Sequence, residues 1–240
     1  MNQTSVRKVE GDAAPSKELR IAALRAQMAQ IAPVLEPDHH QHSEHSQAEQ
    51  HSYTEREVVA LGADLRDIFP HGGLKRRAVA LMDSPALLAV EMLAHISSAG
   101  LFSAVLGWPE LSYAGISESG GQLDRIIAVP EPGAQIWEAA AILAEGLDAI
   151  FINSEQATLT PSRARPFLAK VRHGKAAVIV LGTHIPTSWM DIRAQITGFR
   201  GIGYGTGRIK SIDMQVTTTV KGIAREKRIT IGHRPHLYAV

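Results

Sequence analysis

The chain has 240 residues, of which 45% are apolar, and a formal net charge of +1. This composition is typical of one globular α/β domain with extensions. It contains no cysteine, which excludes disulfides and thiolate metal sites and suits a reducing compartment. No apolar run approaches the ~18 residues of a membrane span and no signal-peptide core is present, so we expect a cytoplasmic protein.

The first 35 residues read as a polar tail followed by one amphipathic helix. Ser16 is a candidate N-cap, and Pro33 is expected to end the helix. Its apolar residues recur at steps of three and four, which places them on one stripe: Ile21, Leu24, Met28 and Ile31. This stripe either packs on its own domain or docks on another chain, and the long linker that follows favours docking.

Residues 36–52, EPDHHQHSEHSQAEQHS, form a His-rich segment of low complexity with almost nothing apolar. A metal site needs ligands in fixed geometry and partners that orient them, and a flexible tract supplies neither. The composition therefore predicts a solvated, disordered linker. The folded domain is expected to span residues 53–240.

That domain reads as strands alternating with helices. Part of the segment 54–68 is predicted to be helical, and buried strands are predicted over 78–82, 101–107, 125–129, 147–152 and 176–182. Further helices are predicted from about residue 85 and over 111–119, 134–145 and 161–171. Such a pattern predicts an α/β fold whose mostly parallel sheet is covered on both faces and binds ligands at the carboxyl ends of its strands.

The pattern changes after residue 196. Apolar and polar residues alternate over 212–220, which predicts a strand with one wet face. Ile229 and Ile231 predict a second strand across the loop KGIAREKR, so the domain should end in an antiparallel hairpin. The glycines at 201, 203, 205 and 207 open a strand and not a helix, which favours a turn over a phosphate loop.

The strand at 78–82 and the helix after it form the unit that carries the phosphate loop in nucleotide-binding domains. Here the connection is Asp83-Ser84-Pro85. It has no glycine that would bring backbone N–H groups against a phosphate, and it has no lysine. Its aspartate carries charge of the wrong sign. The chain keeps the scaffold of a nucleotide-binding unit and lacks its chemistry.

Four segments resemble the RecA-fold core and follow its order along the chain. GADLRDIFPHGGLKRRAVALMDSP resembles its start, and WPELSYAGISESGGQLDRIIAVPEPG resembles the part from the second to the third strand. TPSRARPFLAKVRHGKAAVIVLG and GRIKSIDMQVTTTVKG are more similar to a RecA-like subgroup, the ImuA-type accessory proteins of the bacterial mutasome, in a shortened form. The resemblance covers residues 53–220.

The resemblance implies three ATPase positions. The phosphate loop falls at Asp83-Ser84-Pro85, the magnesium-binding aspartate at Asn153, and the water-activating glutamate near Glu110. A neutral amide supplies no charge to Mg²⁺, and one carboxylate without lysine and metal ligand cannot run phosphoryl transfer. The resemblance thus implies a domain that has lost ATP hydrolysis and needs no cofactor.

The function implied by the resemblance is that of a non-catalytic adaptor in SOS-induced mutagenic translesion DNA synthesis. Its partners would be an ImuB-type Y-family polymerase homologue, a C-family error-prone polymerase and RecA. Such a protein would join the nucleoid on DNA damage. Homo-oligomers and direct DNA binding are further expectations.

Two alternatives from other classes stay open. A RecA-like ATPase with an unorthodox site would need a cation from Lys75, Arg76 or Arg77, which precede the strand. A DNA-binding module would use basic faces and bind more weakly as salt rises. The C-terminal candidates for DNA or partner binding are Lys221, Arg225, Lys227 and Arg228, with Leu237 and Tyr238 as apolar partner anchors.

The three tryptophans are predicted to lie in different environments. Trp137 lies on an amphipathic helix and is predicted to be core. Trp108 and Trp189 follow or precede strands, where they are either buried or exposed as stacking platforms for single-stranded DNA.

Overall fold

The computed structural model describes residues 57–154, 159–183, 185, 187–203 and 206–232. All of them belong to the second of the two units into which the chain divides, 51–240. The predicted docking stripe (Ile21, Leu24, Met28, Ile31), the His-rich linker and the tail residues Leu237 and Tyr238 lie outside the described residues.

The described part contains ten strands and five α-helices. The strands are β1 (Val58–Ala60), β2 (Gly73–Lys75), β3 (Ala78–Asp83), β4 (Ser103–Leu106), β5 (Ile126–Val129), β6 (Ala149–Asn153), β7 (Ala177–Leu181), β8 (Met190–Gly203), β9 (Thr206–Val220) and β10 (Ile223–Gly232). The helices are α1 (Ala63–Arg66), α2 (Ala86–Ser98), α3 (Tyr113–Glu118), α4 (Ile136–Gly146) and α5 (Pro161–His173). None of these helices is long and apolar enough to cross a membrane.

Eight strands form one mixed sheet in the spatial order β10-β9-β8-β3-β7-β6-β4-β5. The six strands from β8 to β5 in this order run parallel. β9 is antiparallel to β8, and β10 is antiparallel to β9. The predicted α/β fold with a mostly parallel sheet and a C-terminal antiparallel addition is therefore confirmed. β1 and β2 pair in a separate two-stranded sheet.

Alternate residues of the parallel strands pack into two apolar layers. Ala80, Met82 and Phe151 belong to the layer that contains α2, and Val79 and Ile150 belong to the layer that contains α4 and α5. Burial of both faces explains why these strands are continuous apolar runs in the sequence.

The N-terminal and C-terminal elements differ from the prediction. Of the segment 54–68, which was predicted to be helical in part, only α1 is helical, and the β-branched Val58 and Val59 form a strand with β2 that was not predicted. The loop predicted as KGIAREKR is a two-residue turn, Lys221-Gly222, with φ angles of 48° and 81°. Two positive φ angles make a tight hairpin turn, so residues 223–228 extend β10 instead.

β8 is a long strand that the sequence pattern did not predict. It pairs in parallel with β3 over residues 190–193 and then continues with β9 alone as far as Gly203. The pair forms an arm beyond the end of β3, with Phe199 and Ile202 more than half exposed. The alternation of Met190, Ile192 and Ala194 with polar residues is the signal that could have located it.

Candidate functional site at the carboxyl edge of the sheet

The connection between β3 and α2 lies where a phosphate loop would lie, and it is only two residues long. Asp83 ends β3 and is exposed, and Pro85 is the N-cap of α2. The Ser84 hydroxyl donates to the Pro85 carbonyl oxygen at 3.2 Å, and Pro85 has no N–H. A phosphate loop needs several backbone N–H groups around the anion. This junction presents no such cradle.

Asn153 ends β6, which is separated from β3 by β7. At ~4.8 Å between neighbouring strands, the ends of β3 and β6 lie roughly 10 Å apart. The Asn153 Oδ1 atom is buried and has no hydrogen-bond partner among the described residues. Its backbone lies close against Gly107, whose φ is 71° and where an added Cβ would clash with the Asn153 carbonyl oxygen.

The ends of β6 and β7 are tied together next to Asn153. Ser154 is buried, and both its N–H and its hydroxyl donate to the Leu181 carbonyl oxygen, at 3.0 Å and 2.8 Å. Two bonds to one carbonyl oxygen fix the chain as it leaves β6. Asn153 is therefore held at a defined place on the carboxyl edge.

Glu110 is exposed in the loop between β4 and α3. Trp108 beside it is only 7% exposed, so it belongs to the core and cannot serve as a stacking platform. Trp137 is 2% exposed and packs edge to face on Phe167 at 5.3 Å, which confirms the predicted core position. Trp189 is half-buried.

The carboxyl edge of the sheet presents both signs of charge. Asp83, Glu110 and Glu131 are exposed there, and the exposed arginines are Arg193 on β8, in register with Asp83, and Arg163 and Arg165 in the first turns of α5. No cluster of three or more metal-ligating side chains occurs in the part of the chain that the structure describes. At the β3–α2 junction itself, the charge of Asp83 is of the wrong sign for a phosphate.

The three cations that could replace the missing lysine lie at the other end of β3. Lys75, Arg76 and Arg77 precede a strand of six residues, so they are roughly 20 Å from Asp83 at ~3.3 Å per residue. Arg76 Nη1 instead bonds Asp148 Oδ1 at 2.9 Å. The structure does not bring these cations to the β3–α2 junction.

The four basic residues predicted as one group on the C-terminal hairpin are divided. Lys221 is in the turn, and Arg225 and Lys227 share one face of β10, where Lys227 Nζ contacts Asp67 Oδ2 at 2.7 Å. Arg228 lies on the opposite face, because side chains alternate along a strand. They therefore form no single basic patch.

A family profile, the MT3502 N-terminal domain, matches residues 67–187, which are half of the chain. The chain belongs to the MT3502 N-terminal domain family. The matched segment contains the parallel core from β3 to β7, with Asp83, Glu110 and Asn153, and stops before β8.

This member of the MT3502 N-terminal domain family is also similar to one curated protein of Mycobacterium tuberculosis, which is named "Uncharacterized protein Rv3395c". The two chains are 26% identical over 159 residues. The alignment covers 62% of this chain and 78% of the mycobacterial protein.

Proposed function

We propose that this member of the MT3502 N-terminal domain family is a non-catalytic RecA-like adaptor of the ImuA type in SOS-induced mutagenic translesion DNA synthesis. It bridges an ImuB-type Y-family polymerase homologue and a C-family error-prone polymerase, with RecA as a further partner. The observation that carries the proposal is the junction of β3 and α2. The strand and helix of a nucleotide-binding unit are present, and Ser84 and Pro85 join them without a phosphate cradle.

The order of the strands supports the RecA-like part of the proposal. The parallel strands lie in the order β5-β4-β6-β7-β3, and β8, β9 and β10 extend the sheet beyond β3 with β9 reversed. We infer a RecA-like core from this strand order together with the resemblance of the sequence. Asp83 and Asn153 end β3 and β6, where that resemblance implies the lysine-bearing loop and the magnesium ligand.

Titration calorimetry with Mg·ATP at millimolar nucleotide tests the loss of nucleotide chemistry. We expect no saturable heat and no turnover above background, because the two-residue β3–α2 junction has neither a glycine-rich loop to surround a phosphate nor a lysine to contact it. A RecA protein in the same buffer is the positive control. A saturable heat with turnover would make the chain a RecA-like ATPase and overturn the adaptor proposal.

Co-purification with the damage-inducible polymerase proteins tests the adaptor role. We expect the full chain to retain the ImuB-type homologue, and deletion of either residues 1–52 or residues 233–240 to remove that retention. Folding of each truncated chain is checked by circular dichroism. Retention of DNA alone, falling steeply with salt, would favour the DNA-binding module.

A further inference from the structure

A cleft of about 290 Å³ opens at the amino edge of the sheet, at the other end of β3 from Asp83. Its walls come from the start of β3, the last turn of α5 and the segment that enters β8. It is basic and contains hydroxyl groups and an indole ring: Lys75, Arg77, Arg172, Thr187, Ser188 and Trp189.

Arg77 is presented to this cleft by an unusual backbone. Its φ is 59°, and its N–H bonds the Ala176 carbonyl oxygen at 2.8 Å, which fixes the turn against the entry to β7. A long side chain in the left-handed region is uncommon and persists where the surrounding structure imposes it. Among the residues that the structure describes, neither Arg77 nor Arg172 forms an ion pair.

Lys75 is held at the wall of the cleft by Trp189. Its Nζ atom lies 5.6 Å from the centroid of the Trp189 ring, within the range of a cation–π contact. The backbone N–H of Trp189 donates to the Val79 carbonyl oxygen at 2.8 Å, which fixes the backbone of this residue to β3. The Ser188 hydroxyl donates a hydrogen bond to Asp191 Oδ1 at 2.9 Å, and Thr187 also lines the cleft.

The dipole of α5 explains only part of this charge. Lys170, Arg172 and His173 lie in its last turn, where positive charge is favourable on any helix. The helix end does not account for Lys75 on β2 or Arg77 in the turn before β3. Arg77 and Arg172 come from two different elements and line the same cleft, and an anion between them would reduce their mutual repulsion.

We propose that this cleft binds a phosphate ester through Lys75, Arg77 and Arg172. Arginine matches the planar arrangement of phosphate oxygens with paired donors. The volume is at the lower end of the range of small-molecule sites, about 300–1,000 Å³, which suits one phosphate with its sugar. The ester is therefore a mononucleotide or one unit of a nucleic-acid backbone. This inference is independent of the proposed function, which concerns the opposite edge.

Binding is tested on the full chain with inorganic phosphate, dTMP, a ten-nucleotide oligo(dT) and an acidic peptide, followed by calorimetry and tryptophan fluorescence. We expect saturable binding of the phosphate esters with a fluorescence change that Trp189→Phe removes, because Trp108 and Trp137 are buried. Tighter binding of oligo(dT) than of dTMP identifies a nucleic-acid backbone as the source. Equal affinity identifies a mononucleotide.

Charge reversal separates this cleft from general basicity. Arg77→Glu combined with Arg172→Glu should weaken phosphate-ester binding by tenfold or more and reduce the salt slope of oligo(dT) binding by about two. The matched control reverses Arg163 and Arg165, which are exposed at the other end of α5 and carry the same charge. Arg77→Gly serves as a second variant, because glycine accepts the positive φ and removes the whole side chain, guanidinium included, without straining the turn.

Three results would overturn the proposal. The first is the absence of saturable binding by any phosphate ester at millimolar concentration. The second is an equal loss of affinity in the Arg163 and Arg165 control. The third is saturation by the acidic peptide alone, which would identify the cleft as a protein-docking site.

Discussion

At the residue scale, Asp148 joins the entries to three strands on the amino edge of the sheet. Its Oδ1 accepts a bond from Arg76 Nη1 at 2.9 Å and lies 3.5 Å from Lys175 Nζ, and its Oδ2 accepts the Phe102 N–H at 3.0 Å. Burial by itself raises the pKa of Asp148. The bonds from Phe102 and Arg76 and the charge of Lys175 outweigh burial, so the pKa lies below its ordinary value.

Replacing Asp148 with Asn should lower the free energy of unfolding by about 2 kcal/mol at pH 7, as expected for lost charge-assisted bonds. A depressed carboxyl pKa contributes stability above the unfolded value of about 3.9, and that contribution is lost as the pH falls through the folded pKa. The difference from the parent chain should therefore shrink below about pH 4. Urea unfolding at pH 7 and pH 3 measures it.

Asp124→Asn is the control for this change, because Asp124 is exposed and makes no ion pair within the described part of the chain. It should leave stability unchanged at both pH values. A difference for Asp148→Asn that is as large at pH 3 as at pH 7 would assign the effect to packing and not to charge.

Gly107 has a comparable role at the carboxyl edge, where β4 approaches β6. Gly107→Ala should destabilise the protein by about 3 kcal/mol, because the left-handed backbone and the clash with the Asn153 carbonyl oxygen add together. Gly120→Ala is the control, because Gly120 has a similar φ of 86° and a Cβ added there would have no atom within 4 Å. It should cost only about 1 kcal/mol. Equal melting temperatures for the two variants would contradict the close approach of these strands.

At the element scale, the C-terminal strands are attached to the segment that follows α1. The buried Thr218 hydroxyl donates to the Ile68 carbonyl oxygen at 2.7 Å, across 150 positions of sequence. Nearby, Lys227 contacts Asp67 at 2.7 Å, but this pair is exposed and contributes little. The buried bond is therefore the stronger link between these elements.

Replacing Thr218 with Val keeps the shape of the side chain and removes its hydroxyl. We expect a loss of about 1–2 kcal/mol, because the Ile68 carbonyl oxygen loses its donor in a buried place. Thr219→Val is the matched control, since Thr219 is half-buried on the opposite face of β9. Chemical denaturation measures the free energy of unfolding of both variants. An equal loss in the two would show that the Thr218–Ile68 hydrogen bond contributes nothing specific to stability.

At the scale of the whole molecule, both edges of the parallel sheet carry exposed charge, and they differ in how it is arranged. Asp83, Glu110 and Glu131 lie at the carboxyl edge together with exposed arginines, whereas the cleft with Arg77 and Arg172 lies at the amino edge. A RecA-like core would bind nucleotide at the first of these edges. The proposed adaptor role rests on the missing phosphate loop at that edge, and the basic cleft directs the search for anionic ligands to the amino edge.

The N-terminal stripe lies outside the described residues, and its docking role stays a prediction. Leu24→Asp with Met28→Asp should reduce self-association or partner capture and leave the melting temperature within about 2 °C, because surface positions have small effects on stability. Ala22→Asp with Ala26→Asp adds the same charge on the opposite side of the predicted helix and should change neither. Light scattering and co-purification measure assembly. A large fall in melting temperature with assembly intact would place the helix on its own domain.

The strands and helices of the parallel core could be predicted because each is a local pattern. Buried strands such as β6 and β7 are continuous apolar runs bounded by breakers, and α4 and α5 repeat their apolar residues at helical spacing. The missing phosphate-loop lysine is equally local, because it depends only on the residue types in Asp83-Ser84-Pro85. Periodicity thus determined the fold class, and the resemblance to the RecA fold implied the departures at the ATPase positions.

Contacts between distant segments were decided only by the tertiary structure. Residues 190–203 form β8 because β3 and β9 supply its hydrogen-bond partners. The turn at Lys221-Gly222 sets the register of β10, and this register places Arg225 and Arg228 on opposite faces of the strand. The cleft at the amino edge combines Arg77 with Arg172, which are far apart along the chain. Local propensities cannot predict that these two arginines lie in one cleft, because their proximity depends on which strands pair and on which side of the sheet the helices pack.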